Sequence, residues 1–276
     1  MPYNSGMKSL PLTNWLNAAK EAARRGADAL ESWRARFRVR EKGRADLVTE
    51  ADHASQQAVH DYLARRFPDH LFVGEEGDAL KSRPAADAPP TWICDPLDGT
   101  TNYVHDVPCY CVSIGLLVQR ELVVGVVYDS RQQEMFAAAK GVGAWLCDKR
   151  IGVSKIDRLE EALLATGFAP DLKGQERSLD WWRFLSFRAQ SLRRTGSTAL
   201  NLAYVACGRF DGYWAFDNHA WDVAGGFVLV REAGGTVTRV NGGPEDSFAP
   251  DQIVTNGRIH SALQKCLHQD LSNAER

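Results

Sequence analysis

The stretch Trp92-Ile93-Cys94-Asp95-Pro96-Leu97-Asp98-Gly99-Thr100-Thr101-Asn102 decides how this chain is read. Trp92, Ile93 and Cys94 end an apolar run suited to a buried strand. Pro96 cannot donate to a sheet ladder and fixes its own φ, so the strand is expected to stop there. Gly99 admits a backbone geometry that a Cβ resists. A turn of this kind aims Asp95 and Asp98 at one point, which a continuing strand does not do for residues three apart. Two converging carboxylates repel unless a cation lies between them, and hard oxygen ligands suit Mg²⁺. Gly99, Thr100 and Thr101 offer N–H groups and hydroxyls to an anionic group beside that cation. The stretch reads as a site for a metal and a phosphate together.

Outward from it, residues 71–153 alternate short β-rich runs at 71–74, 91–95, 111–119, 122–128, 134–138 and 143–147, with Arg120-Glu121 as a hairpin turn. Residues 78–90, rich in Ala, Pro and Asp, read as a surface loop. Before them, apolar residues at helical spacing predict helices over 13–38 and about 50–67, the second opened by a capping box of Thr49 and Asp52. After residue 159 strands and helices alternate. Strands are expected at 163–166, 192–195, 212–215, 236–240 and 252–255, and helices at 177–190, 197–206, 222–232 and 259–271. The aromatic stretch 181–187 is expected in the core or at a subunit contact. The fold class is α+β. An N-terminal half, 1–153, puts helices on an antiparallel sheet, and a C-terminal half, 154–276, is of α/β type.

Four more segments carry chemically capable residues at strand or helix ends. Asp46-Leu47-Val48-Thr49 precedes the second helix and doubles as its cap. Gly74-Glu75-Glu76-Gly77 is an acidic turn, ordinary as a solvated one. Thr195-Gly196-Ser197-Thr198 opens a helix whose free N–H groups suit a phosphate or a polar substrate edge, or simply a cap. His219 to Gly226 places Asp222 in a helix's first turn, either complementing the dipole or closing on the metal as a third carboxylate.

Composition bounds the alternatives. Of 276 residues, 44% are hydrophobic and 25% charged, with a formal net charge of -2. Those are ordinary globular values, and they carry no basic field for nucleic acid. No stretch has the length of a membrane span, and no signal peptide is evident at the N-terminus. Cysteines 94, 109, 111, 147, 207 and 266 lack CxxC spacing and read as reduced thiols of a cytoplasmic protein. No P-loop or dinucleotide fingerprint is present.

Taken together, Asp46–Thr49, Gly74-Glu75-Glu76, Trp92–Asn102, Trp221–Gly225 and Glu232–Gly235 resemble, in order, the motifs of the inositol monophosphatase family of Mg²⁺-dependent, Li⁺-sensitive sugar-phosphate phosphatases. The likeness runs from about Asn14 to the C-terminus. It implies a layered αβαβα sandwich and a homodimer. It also implies two or three Mg²⁺ held by Glu75, Asp95, the Leu97 carbonyl, Asp98 and Asp222. Asp46 and Thr100 become the pair that activates the attacking water, with Glu75 counted beside them. Substrate contacts fall to Asp98, Gly99, Thr100, Gly196, Ser197, Thr198, Asp222 and position 215. Inositol-selective members carry a Glu at that last position, seven residues before the final metal-binding Asp, and here it is Ala215. The implied reaction is Mg²⁺-dependent hydrolysis of a small polyol or sugar phosphate monoester. Histidinol phosphate, fructose bisphosphate and 3′-phosphonucleotides are alternative substrates. A regulatory scaffold that kept the fold is the non-catalytic alternative.

Overall fold

The computed structural model describes residues 11–34, 36, 39–43, 46–77, 83–168 and 172–268. The first half runs α1 (Leu12–Trp33), β1 (Val39–Gly43), β2 (Asp46–Thr49), α2 (Glu50–Arg66), β3 (Leu71–Gly74), β4 (Thr91–Asp98), α3 (Thr100–Val104), β5 (Cys111–Val118), β6 (Glu121–Asp129), β7 (Glu134–Ala139), β8 (Gly143–Leu146) and β9 (Lys149–Arg150). The second continues β10 (Leu163–Thr166), α4 (Leu172–Ser186), β11 (Ser191–Arg193), α5 (Thr198–Ala206), β12 (Gly212–Ala215), α6 (Ala220–Glu232), β13 (Thr236–Arg239), β14 (Gln252–Thr255) and α7 (His260–Leu267).

Strands β3 to β9 lie side by side in chain order as a seven-stranded sheet, antiparallel except for the β3–β4 pair. A five-stranded sheet has the order β11-β10-β12-β14-β13, with β10 parallel to both its neighbours. Helices α1 and α2 cover the outer face of the large sheet. Helices α5 and α6 fill the space between the two sheets, and α4 and α7 close the far face of the small one. This is the expected αβαβα layering. Both faces of the large sheet are covered, which is why β4 is buried at all eight positions, the polar Thr91, Asp95 and Asp98 included.

Helix α6 comes unusually close to the large sheet. A Cβ on Gly115 would lie 2.6 Å from that of Ala224, and one on Gly125 would lie 2.2 Å from the Gly225 carbonyl oxygen. Gly115 and Gly125 face each other in the β5–β6 ladder, so together they form a notch in which α6 sits.

The structure revises several readings. β4 does not stop at Pro96 but continues to Asp98, with a bulge between Asp95 and Asp98 in its pairing to β5. A bulge leaves residues outside the ladder, so Pro96 is accommodated without a lost bond. The β5–β6 turn falls at Gln119-Arg120, where both φ values are positive (48° and 66°), one residue earlier than read. The first helix ends at Trp33, short of 38, and a β1–β2 hairpin follows it. A short helix, α3, was missed. In the second half α4 spans 172–186 rather than 177–190, and β11 spans 191–193. Trp181, Phe184 and Leu185 are buried, as expected, but Phe187 is 82% exposed. No helix among the described residues is long and apolar enough to cross a membrane.

Candidate active site

The bulge of β4 and the parallel pairing of β3 build one end of the site. Gly74 pairs with Cys94, and the Glu75 N–H continues the ladder to the Cys94 carbonyl at 3.2 Å. Parallel strands point the same way, so Glu75 and Asp95 leave the sheet at the same edge. The acidic turn is pinned from α2: Gln56 accepts the Glu76 N–H at 2.9 Å and donates to the Glu76 carbonyl at 2.8 Å. That clamp needs Gly74, whose Cβ would sit 2.1 Å from Gln56 Oε1. Ser55, on the same helix, donates to the Pro96 carbonyl at 2.8 Å.

Inside the bulge, Asp95 Oδ1 accepts the Leu97 N–H at 3.0 Å. Gly99 then caps α3 with φ 101°, a left-handed conformation that favours glycine. A Cβ there would also press to 2.9 Å on the Cys109 carbonyl oxygen. The α3 residue Asn102 donates to the carbonyls of Cys109 (2.6 Å) and Thr195 (2.9 Å), tying this loop to the one before α5. That joint was not foreseen, because an Asn in a turn motif carries no sign of its distant partner.

Asp98 meets the start of α5. Its Oδ1 accepts the Thr198 N–H at 3.1 Å, and its Oδ2 accepts the Ala199 N–H and the Ser197 hydroxyl, both at 2.6 Å. The opening N–H groups of α5 are therefore taken by Asp98, which corrects the expectation that they are free for an outside anion. The Thr198 hydroxyl lies 3.1 Å from that of Tyr213. Asp222, in the first turn of α6, accepts the His219 N–H at 2.7 Å. Ala215 is buried at the end of β12 and offers only a methyl group.

Asp95 is 2% exposed and Asp98 8% exposed. Burial pushes the Asp95 carboxyl well above the usual carboxylate range, and the charges of Glu75, Asp98 and Asp222 push it further. Asp222 is likewise held well up, by burial first, with Glu75 and Asp98 adding to it and the His219 N–H opposing. Asp98 is raised by burial and pulled back by its hydrogen bonds from α5. The four carboxylates thus sit within one another's field. Among the described residues, however, no three His, Cys, Asp or Glu side chains are gathered tightly enough to enclose an ion as they stand.

Thr100 has a carboxylate partner that the sequence reading did not name. Its Oγ1 lies 3.1 Å from the Leu97 carbonyl and 3.2 Å from Asp52 Oδ1, so the partner seen is Asp52. The side chain of Asp46, the expected partner, lies outside the described residues. Asp52 was read only as half of the α2 capping box, a role it also fills: its Oδ2 accepts the Thr49 N–H at 2.8 Å and the Thr49 hydroxyl at 2.6 Å.

The raised carboxyls set a sign for stability. Asp95 and Asp222 bind protons more tightly in the folded chain than the ordinary value of about 3.9 allows in the unfolded one. Their contribution is present at low pH and is lost as pH climbs through the raised values. In EDTA the melting temperature is expected to fall as the pH rises above about 4, and millimolar Mg²⁺ to restore more of it at the higher pH. A calorimetric series that is flat with pH in EDTA would contradict this.

A family model described as "Inositol monophosphatase family" matches residues 12–276. The inositol-1-monophosphatase of Synechocystis sp. is 44% identical over 259 residues, covering 93% of this chain and 89% of that protein. The Nus factor SuhB of Pseudomonas aeruginosa is 40% identical over 232 residues, covering 83% of this chain and 82% of that protein. Among solved structures, extragenic suppressor protein suhB from Bartonella henselae matches with a TM-score of 0.87 at 36% identity, covering 93% of this chain and 99% of that one.

Proposed function

The chain belongs to the inositol monophosphatase family of phosphoric monoester hydrolases, and from that premise we propose that it hydrolyses a polyol or sugar phosphate with Mg²⁺. The observation that carries the reading is Asp95, buried beside a buried Asp98, with Glu75 and Asp222 near enough to push its carboxyl further up. Such a cluster stays ionised near neutral pH only if a cation compensates it. The donor chemistry fits Mg²⁺, being all hard oxygen: Glu75, Asp95, the Leu97 carbonyl, Asp98 and Asp222 would hold two or three ions after side-chain adjustment. When bound, the metal supplies charge neutralisation and Lewis acidity toward the phosphoryl group.

The chain's own residues do the rest. Asp98, anchored on α5, takes three of its four hydrogen bonds on Oδ2 and keeps a lone pair on Oδ1 beyond the one from Thr198. The backbone at Gly99 and Thr100 lies next to the acids and is suited to the phosphate. The Thr100 hydroxyl orients the attacking water, with Asp46 assigned to the same task by the family pattern. Gly196, Ser197, Thr198 and Ala215 border the alcohol. A methyl group at 215 cannot accept the paired hydroxyls that a Glu would, and unpaired buried donors cost on the order of 1–3 kcal/mol each. The alcohol preferred here therefore differs from that of the inositol-selective members. The family pattern also points to a homodimer.

A panel of esters (inositol 1-phosphate, glycerol 2-phosphate, histidinol phosphate, fructose 1,6-bisphosphate, a 3′-phosphonucleotide) assayed with Mg²⁺, with and without Li⁺, tests the reading. Mg²⁺-dependent phosphate release inhibited by Li⁺ is the expected result. Release from none of them would favour the second reading, a regulatory scaffold that kept the fold; a relative from Pseudomonas aeruginosa carries the name Nus factor.

A further inference from the structure

The Thr100 hydroxyl has one proton and two acceptors, Asp52 Oδ1 at 3.2 Å and the Leu97 carbonyl at 3.1 Å. It can serve only one of them at a time. The choice sets which way the Oγ1 lone pairs point, and so whether Oγ1 can accept a hydrogen bond from a water above the phosphate. It also decides whether the Leu97 carbonyl is left for another partner.

Asp52 is built to settle that choice. It is 1% exposed, and its other oxygen is fixed by the Thr49 N–H and hydroxyl at 2.8 and 2.6 Å. The helix carrying it is tied to the same site at Pro96 and Glu76 through Ser55 and Gln56. The carboxylate therefore cannot turn away from Thr100 without giving up its bonds to Thr49. A helix cap needs the bonds to Thr49 and has no use for a bond to a residue 48 positions away.

We propose that Asp52 is a positioning residue for hydrolysis. By accepting the hydrogen bond from Thr100, it turns the Oγ1 lone pairs toward the attacking water and releases the Leu97 carbonyl. Asp52 gains no proton in this role, and no bond is made or broken at it. The inference rests on the phosphatase reading above and deepens it.

The test is a double-mutant cycle on Asp52→Asn and Thr100→Val, following kcat and KM for glycerol 2-phosphate, or for the panel ester turned over fastest, at saturating Mg²⁺. Each single variant is expected to lower kcat by about 10²-fold with KM within about threefold. The double variant should be no slower than the slower single one, because both remove the same alignment. Asp52→Ser, which keeps a hydroxyl near Thr49 but is too short to reach Thr100, should show the same loss if Asp52→Asn fails to fold. Losses that multiply in the double variant, or Asp52 variants that lose only stability, overturn the proposal. If the unmodified protein hydrolyses no ester of the panel, it is the phosphatase reading that falls, and the two failures are distinct.

Discussion

Asp95→Asn is expected to lower kcat by at least about 10³-fold while raising the melting temperature at pH 8 in EDTA. The two effects have one cause. Asp95 is buried at the end of β4, with its charge opposed by Glu75, Asp98 and Asp222. Removing that charge relieves the repulsion, so the folded chain no longer loses stability as the pH rises. On the proposed function the same removal takes away a cation ligand, and several kcal/mol of transition-state charge stabilisation go with it. At about 1.4 kcal/mol per tenfold, that amounts to three or more decades in rate. Asparagine has nearly the same shape and can keep the bond from the Leu97 N–H, so the fold should persist. Kinetics with Mg²⁺ titrated to saturation, beside melts in EDTA, give both readouts. Near-normal turnover, or a lower melting temperature in EDTA, would remove Asp95 from the ligand set.

Gly125→Val is expected to act in the opposite sense, on stability first and on activity through it. A Cβ at 125 would overlap the Gly225 carbonyl oxygen at 2.2 Å and crowd Val228 at 2.8 Å, and the first of these is backbone that cannot rotate away. Helix α6 must lift from the sheet or the β5–β6 pair must bend. Overpacking of this severity costs roughly 3 kcal/mol or more, on the order of 10 °C for a chain of this length. Because Asp222 rides on the first turn of α6, the Mg²⁺ concentration for half-maximal rate should rise as well. A melting temperature close to that of the parent would show that the notch is slack. Unchanged Mg²⁺ dependence in a destabilised variant would show that Asp222 is not placed by α6 packing.

The two variants mark what was legible in the chain and what was not. Asp95, Asp98 and Gly99 stand within one short stretch, where strand, proline and glycine chemistry act on neighbours and can be read in place. Asp222 could be singled out because acids in a helix's first turn are few, although its approach to the others belongs to tertiary structure. Gly115 and Gly125 gave no local signal: each is an unremarkable residue in an apolar strand until α6 is laid across it. Asp52 was obscured by its own local explanation, since a capping box accounts for its presence and hides the bond to Thr100. The continuation of β4 past Pro96 was missed because the proline rule describes a regular ladder, and the bulge suspends that rule at just those residues. Asn102 is the same kind of case, its Thr195 partner lying 93 positions along the chain.

The acids Glu75, Asp95 and Asp98 belong to the large sheet and its edge, whereas Thr198 and Ala215 are carried by α5 and β12 beside the small one. An inhibitor of this protein accordingly divides into two separable pieces. On the proposed function, a phosphonate or other chelating head would engage the acids, and a tail would meet the elements that carry Thr198 and Ala215. Evolution is freer at 215 than at the start of α5, whose residues 197–199 also hold Asp98.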